Sequence, residues 1–369
     1  MRPDKVLETL QSAGYEAWYV GGCVRDTLLG RPIHDWDVTT SALPEQVLAL
    51  FPRTVPTGLP HGTVTVLSDV GPVEVTTYRA DGAYHDGRHP DAVRFVRSLR
   101  EDTARRDFTV NAMAMDQRGT ICDFHGGRTD LAAGILRCVG APNRRFREDA
   151  LRMLRACRFA AQLGFTIEQA SWAALLRCAP RCEQLSRERI TEEVTKTLCS
   201  PAPQWVGTMT DAGLLTSCGL TGPQNLTGLA ALPPTAEARW AGFAILVPEL
   251  DLSAFRLPAK LVRLCQTARA HWPAPEDPLG WKRLLAAEGE EAARLLAALA
   301  QTDAVDKILA SGDCVSLKTL AVSGRDFPLL RGPALGQMLH ALLGHVLQAP
   351  ADNNRETLLE LAKNIETAS

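Results

Sequence analysis

The pattern of hydrophobic residues changes sharply near Pro142. Before that point, residues 63–68 (TVTVLS) and 73–78 (VEVTTY) alternate and are rich in β-branched side chains, which predicts paired strands with a turn at Gly71-Pro72 between them. After it, Ala, Leu and Arg recur at helical spacing without a convincing strand. We therefore predict a mixed head of about 135 residues, followed by a long all-helical remainder.

Shorter segments complete this prediction. Local patterns indicate helices over residues 3–13 and 24–29, and strands over 17–20, 93–96, 112–115 and 121–124. In the remainder, a helix should begin near Ser186. The length of 369 residues suggests two or three domains.

Composition and charge exclude several classes of protein. Hydrophobic residues make up 46% and charged residues 22%, which excludes a wholly disordered or collagen-like chain. Forty basic residues stand against 42 acidic ones, which excludes a histone-like polycation but not a nucleic-acid partner. Arginine outnumbers lysine 33 to 7. Two explanations are open: codon bias, or a requirement for arginine in phosphate and base recognition.

Cysteine spacing and hydropathy predict where the protein works. The ten cysteines form no CxxC pair, so buried reduced thiols in a cytosolic protein are expected, without zinc or disulfides. The first 20 residues carry charges throughout, unlike a signal peptide. The longest strongly apolar stretch, 240–247, is too short to cross a membrane. We expect a cytoplasmic protein with no membrane partner.

The segment GGCVRDTLLGRPIHDWDVTT (residues 21–40) is the most informative part of the chain. Its two glycines follow a predicted strand and precede a predicted helix, so backbone N–H groups can approach a phosphate. Arg25 lies one turn into that helix and is suited to clamp the same phosphates.

Asp35 and Asp37 lie two residues apart in an extended segment, so both carboxylates lie on one face. Such a pair repels itself unless a cation lies between the two, and Mg²⁺ prefers oxygen ligands completed by substrate phosphates. Glu74 lies in the alternating strand 73–78. If the two strands are neighbours, the three acids can hold two ions for in-line attack on a phosphoryl group.

Two arginine-rich clusters follow. Arg105 and Arg106 precede an apolar segment and suit a triphosphate or ribose contact, or else form a solvated edge. Residues 137–158 hold seven arginines and two acids, a local charge of +5. Within them, Asp149 and Arg152 would be i, i+3 neighbours on a helix, where they form either a stabilising ion pair or a base-reading edge. One acceptor beside one donor complements cytosine and adenine but not uracil or guanine.

These residues resemble the class II tRNA nucleotidyltransferases (CCA-adding enzymes) and the related bacterial poly(A) polymerases. The resemblance is carried by residues 21–40, HGTVTV, VEVTTYR, RRDFTVNAM, REDALRMLRACRF and ERITEE. It is specific over residues 17–195 and weak over 200–315.

The resemblance implies an α+β fold, with a polymerase β-like nucleotidyltransferase head followed by an all-helical neck, body and tail. We place these parts at residues 1–137, 138–200, 201–305 and 306–369. The implied reaction is template-independent addition of C, C and A to the tRNA 3′ end from CTP and ATP. The tail and body would hold the acceptor and T arms of tRNA, and no DNA partner is expected.

The resemblance also implies the roles of individual residues. Asp35 and Asp37 would bind Mg²⁺, with Glu74 assisting in catalysis. The nucleotide would be bound by seven further residues, namely Gly22, Arg25, Arg106, Asp149, Arg152, Arg155 and Arg158.

Two features bear on the subfamily. Residues 50–66 have the CCA-type form rather than the GRRF-like element of poly(A) polymerases. Residues 81–107 match the loop that CC-adding members lack, although Gly87-Arg88-His89-Pro90 departs from the paired arginines of relatives. An A-adding enzyme and, less readily, a poly(A) polymerase stay open as alternatives.

Overall fold

The computed structural model describes residues 3–81, 93–222 and 224–368. Its contacts divide the chain into two compact units, Met1–Gln224 and Asn225–Ser369. The finer division into head, neck, body and tail stays a prediction.

The first unit is built around a mixed seven-stranded sheet. The strands of this unit are β1 Ala17–Val20, β2 Trp36–Thr40, β3 Thr54–Gly58, β4 Thr63–Ser68, β5 Gly71–Thr77, β6 Arg79–Asp81, β7 Val93–Phe95, β8 Ala114–Met115, β9 Ile121–Cys122, β10 Ile135–Leu136 and β11 Thr166–Ile167. The large sheet has the order β3-β4-β5-β2-β1-β8-β9, in which only β2 and β5 run parallel. Two small sheets pair β6 with β7 and β10 with β11.

Helices flank the sheet and then continue alone. In the first unit they are α1 Asp4–Ser12, α2 Gly22–Leu28, α3 Pro44–Leu50, α4 Leu99–Ala104, α5 Gly127–Ala133, α6 Pro142–Glu148, α7 Leu151–Leu163, α8 Gln169–Cys178, α9 Arg187–Leu198 and α10 Trp205–Asp211. Helix α7 packs against α9 and α10, and its buried face includes Met153, Leu154 and Cys157.

The second unit is helical throughout the part that the structure describes. Its helices are α11 Ala236–Leu246, α12 Ala259–Ala270, α13 Pro278–Leu299, α14 Ala304–Ser311, α15 Gly332–Gln348 and α16 Arg355–Ala368. A non-helical Gly289, with φ 84°, interrupts α13. The predicted fold class, a mixed-sheet head with a helical remainder, is confirmed.

Two local predictions are wrong. Gly71 and Pro72 are not a turn: they begin β5, where they pair with Ser68 and Leu67 of β4, so the chain turns at Asp69-Val70. The helical remainder also contains a short strand, β11, which pairs in parallel with β10. Two residues per strand carry too little alternation to be seen in the sequence.

The prediction that the cysteines are mostly buried agrees with the structure. All ten cysteines are free and eight are buried. No helix among the described residues is long and apolar enough to span a bilayer.

Candidate active site

A cavity of about 390 Å³ lies in the first unit, where α2, the start of β2 and α7 meet. It brings together seven of the predicted site residues, namely Gly22, Arg25, Asp35, Asp37, Arg106, Arg155 and Arg158. Three predicted residues, Glu74, Asp149 and Arg152, are not among those that line it. A larger cavity, of about 650 Å³, lies in the second unit, and none of these residues lines it.

The three predicted acids come from adjacent strands. Asp37 of β2 lies directly opposite Glu74 of β5 in the parallel pair, and Asp35 immediately precedes β2. Burial raises the pKa of Asp37 to about 6; Arg106 opposes this rise, and Glu74 and Asp35 add to it. The acids are therefore close enough to repel one another. The described residues contain no group of three or more His, Cys, Asp or Glu side chains poised to hold a metal ion.

Gly21 lines the cavity beside these acids. Its φ of 78° lies in the left-handed region, which favours glycine. A Cβ atom there would lie 3.2 Å from Arg106 Nη1 and 3.3 Å from Asp37 Oδ2. Glycine at this position thus leaves room for a carboxylate and a guanidinium to approach the same backbone.

Acidic and amide side chains orient the two arginines at the sheet end of the cavity. Arg25 donates from Nε and Nη2 to Asp26, at 3.0 and 2.8 Å, and from Nη1 to Asn111 at 2.7 Å. Asp102, which is fully buried, accepts from Arg106 at 3.4 Å and from Arg105 at 2.9 Å. Arg25 and Arg106 are thus held by charged or amide partners before any ligand binds.

On the helical side, two arginines of α7 have their own buried carboxylates. Arg155 contacts Asp107 Oδ2 at 2.8 Å from Nε and 2.6 Å from Nη2. Burial would raise the pKa of Asp107, but Arg155 and hydrogen bonds outweigh burial and lower it to about 2. Arg158 donates to Glu193 of α9 at 2.5 Å.

One aromatic ring connects these arginines. The guanidinium of Arg158 lies 4.0 Å from the centroid of Phe159, and those of Arg25 and Arg155 lie 5.1 and 5.2 Å from it. Phe159 therefore makes cation–π contacts with arginines from both sides of the cavity.

The predicted helical pairing of Asp149 with Arg152 is wrong. Asp149 has an extended backbone between α6 and α7, where its Oδ1 accepts from Leu151 N at 3.0 Å. Its carboxylate contacts Arg189 at 3.1 Å, whereas Arg152 contacts Glu148 at 2.9 Å. The acceptor and the donor of the proposed base-reading edge are thus each engaged elsewhere in this structure.

Both residues nevertheless lie next to the cavity. Arg152 donates to the carbonyl of Arg105 at 3.0 Å and is close enough to lower the pKa of Asp107. Asp149 is close enough to Arg155 to help raise the pKa of that guanidinium.

Sequence reasoning missed several residues that organise the site. They are Asp102, Asp107, Asn111, Phe159, Arg189 and Glu193. Five of them lie inside the quoted motifs RRDFTVNAM, REDALRMLRACRF and ERITEE, so the motifs gave a signal but no role. Part of the predicted loop 81–107, namely residues 82–92, lies outside the described residues, and this part includes the departure at residues 87–90.

Two sequence families match parts of the chain. Residues 17–137 match the family described as the poly A polymerase head domain. Residues 164–217 match the family described as a probable RNA and SrmB-binding site of polymerase A.

Full-length relatives are similar as well. The CCA-adding enzyme of Lactiplantibacillus plantarum is 38% identical over 98% of this chain and 95% of its own length. That of Geobacillus stearothermophilus is 39% identical over 96% of this chain and 94% of its own.

Solved structures share the fold. The crystal structure of the Bacillus stearothermophilus CCA-adding enzyme in complex with CTP matches with a TM-score of 0.87 and 35% identity, covering all of both chains. The Thermotoga maritima CCA-adding enzyme complexed with tRNA matches with a TM-score of 0.67 at 18% identity, over 98% of this chain and 94% of its own.

Proposed function

We propose, because this chain belongs to the family of CCA-adding enzymes, that it adds C, C and A to the 3′ end of tRNA without a template. CTP and ATP are the substrates, and pyrophosphate is released. The observation that carries the proposal is the cavity where paired aspartates face four arginines. A-adding and polyadenylating activities are less favoured, because the full-length relatives are CCA-adding enzymes.

Asp35 and Asp37 are the proposed ligands of Mg²⁺, and Glu74 assists them. The donor set fits this ion, since carboxylate oxygens are its preferred protein ligands. The raised pKa of Asp37 supports the assignment, because a dication would relieve the repulsion among the three acids. When bound, Mg²⁺ would lower the pKa of the tRNA 3′-hydroxyl and would stabilise the negative charge on the leaving pyrophosphate.

Gly22, Arg25 and Arg106 are proposed to bind the triphosphate and sugar. Arg25 has three of its five N–H groups engaged with Asp26 and Asn111, so two donors stay available in a fixed orientation. Prepositioned donors lose little rotamer entropy when a phosphate binds.

Asp149 and Arg152 are proposed to read the base, with Arg155 and Arg158 beside the nucleotide. The amino group of C or A would donate to Asp149, and Arg152 would donate to the adjacent ring nitrogen. Because Arg152 now contacts Glu148, its side chain must reorient as the nucleotide enters. Arg152→Ala should relax selection toward UTP and GTP; unchanged selectivity would contradict the role.

The helical parts beyond residue 200 are proposed to hold the acceptor and T arms of tRNA by shape and backbone contacts. Because tRNA is the substrate, the proposed location is the cytoplasm.

The test is extension of three tRNAs, ending before CCA, after C and after CC, with each nucleotide offered separately. We expect CTP incorporation on the first two and ATP incorporation on the third. Incorporation of ATP alone would indicate an A-adding enzyme, and long A tails a poly(A) polymerase. Asp35→Ala should abolish incorporation with tRNA binding near normal. Asp69→Ala, at the exposed β4–β5 turn, is the matched control.

A further inference from the structure

Arg189, on α9, points its side chain at the carboxylate proposed to read the base. Its Nη2 lies 3.1 Å from Asp149 Oδ2 and 3.4 Å from Oδ1, and both side chains are less than one-fifth exposed. Its Nη1 is buried and has no hydrogen-bond partner within the described ranges. Among these residues, Asp149 therefore accepts every hydrogen bond that the Arg189 side chain donates.

Asp149 is held from two sides. Within the part of the chain that the structure describes, Oδ1 accepts from Leu151 N at 3.0 Å as well as from Arg189, while Oδ2 accepts from Arg189 alone. Two carboxylate oxygens offer about four acceptor positions. Three are used here, so the free position lies on Oδ2, and its direction is fixed by the two donors.

We propose that Arg189 is a positioning residue for nucleotide selection: it fixes Asp149 so that Oδ2 keeps one acceptor position for the amino group of cytosine or adenine. This inference rests on the base-reading role proposed above for Asp149. The terminal torsion of an aspartate is soft, so a carboxylate held by Leu151 alone can rotate. A rotated carboxylate discriminates less well between an amino group and a carbonyl oxygen.

The experiment compares kcat and KM for CTP and UTP on a tRNA ending before CCA, with the full-length chain. Arg189→Ala should lower the CTP-to-UTP ratio of kcat/KM roughly tenfold, which matches the loss of one oriented hydrogen bond to a charged group. Arg189→Lys should recover most of the ratio, because a single nitrogen makes both contacts to Asp149. Should Arg189→Ala not fold, Arg189→Gln takes its place.

Arg177→Ala is the matched control. This substitution also removes an arginine from the helical part of the first unit. Arg177 makes two contacts of 3.4 Å, both to the side-chain oxygen of Asn143. We expect the control to leave the CTP-to-UTP ratio unchanged.

A double mutant separates positioning from general stability. In an Asp149→Ala background, Arg189→Ala should change the ratio by less than twofold. An unchanged ratio in the single mutant, or an equal loss in both backgrounds, would overturn the inference. Failure of the unmutated protein to extend the tRNA would instead overturn the proposed function.

Discussion

Replacing Asp107 with asparagine tests whether the site is held by buried charge pairs. Asp107 is 8% exposed and accepts from Arg155, from Phe108 N at 2.8 Å and from Asn111 Nδ2 at 3.2 Å. Asparagine preserves the shape but removes the charge that faces Arg155. The partly buried guanidinium of Arg155 then loses its counter-ion, which is the costly way to break such a pair.

The expected cost follows from the pKa of Asp107. The ordinary value is 3.8 and the folded value is about 2, a difference worth about 2 kcal/mol because one pKa unit corresponds to about 1.36 kcal/mol. Because the folded pKa is the lower one, this stabilisation is complete well above pH 4 and is lost as the pH falls toward 2. About half should be left at pH 3.

Unfolding in urea is monitored by hydrogen exchange of peptides from α7. This measurement reports on the first unit by itself. Asp107→Asn should lower the free energy of unfolding by about 2 kcal/mol at pH 7 and by about 1 kcal/mol at pH 3. Asp69→Asn changes an exposed acid paired with Lys5 and should leave the free energy of unfolding unchanged within the error of the measurement. Equal stability of the Asp107 variant and the unmutated protein at pH 7 would refute the reasoning.

Three further predictions concern the cavity. Gly21→Ala should lose most CTP incorporation, because the new Cβ atom would crowd Arg106 and Asp37. Gly30→Ala is the control: Gly30 has a φ of 65° and no neighbouring atom that a Cβ would meet. It should strain the backbone but retain activity in the same assay. Phe159→Leu, which keeps an apolar side chain but removes the ring, should lower kcat/KM for CTP about tenfold; a change below twofold would exclude a role for the cation–π contacts. Calorimetric titration should give weaker CTP binding after chelation of divalent cations; tighter binding would contradict the assignment of the acids.

The sequence predicts the sheet better than it predicts the site. Strand β1 was expected at 17–20 and β4 at 63–68, and both occur at those residues, because alternation and β-branching report directly on a half-buried strand. The neighbouring positions of Asp37 and Glu74 required only that β2 and β5 be adjacent, which they are. The turn lies at Asp69-Val70 and not at Gly71-Pro72, because a glycine followed by a proline can also begin a strand.

The partners of each charged residue could not be read in the same way. Helical spacing predicts that Asp149 lies beside Arg152. The helix is interrupted between α6 and α7, however, so the i, i+3 rule does not apply to this pair. Arg189 reaches Asp149 from 40 residues away because α9 packs on α7. Such pairings depend on helix packing, about which a single sequence contains little direct information.

The charges around the cavity bear on what it binds. Four arginines and four aspartates line it, so their formal charges cancel, namely Arg25, Arg106, Arg155 and Arg158 against Asp26, Asp35, Asp37 and Asp107. A bare triphosphate would therefore meet no net positive field, and Asp35 and Asp37 would repel it. A nucleotide that arrives with divalent cations brings its own compensation, so that the cations meet these two acids while the phosphates meet the fixed guanidinium groups. The neutral balance of the lining thus favours a metal–nucleotide complex over the free anion.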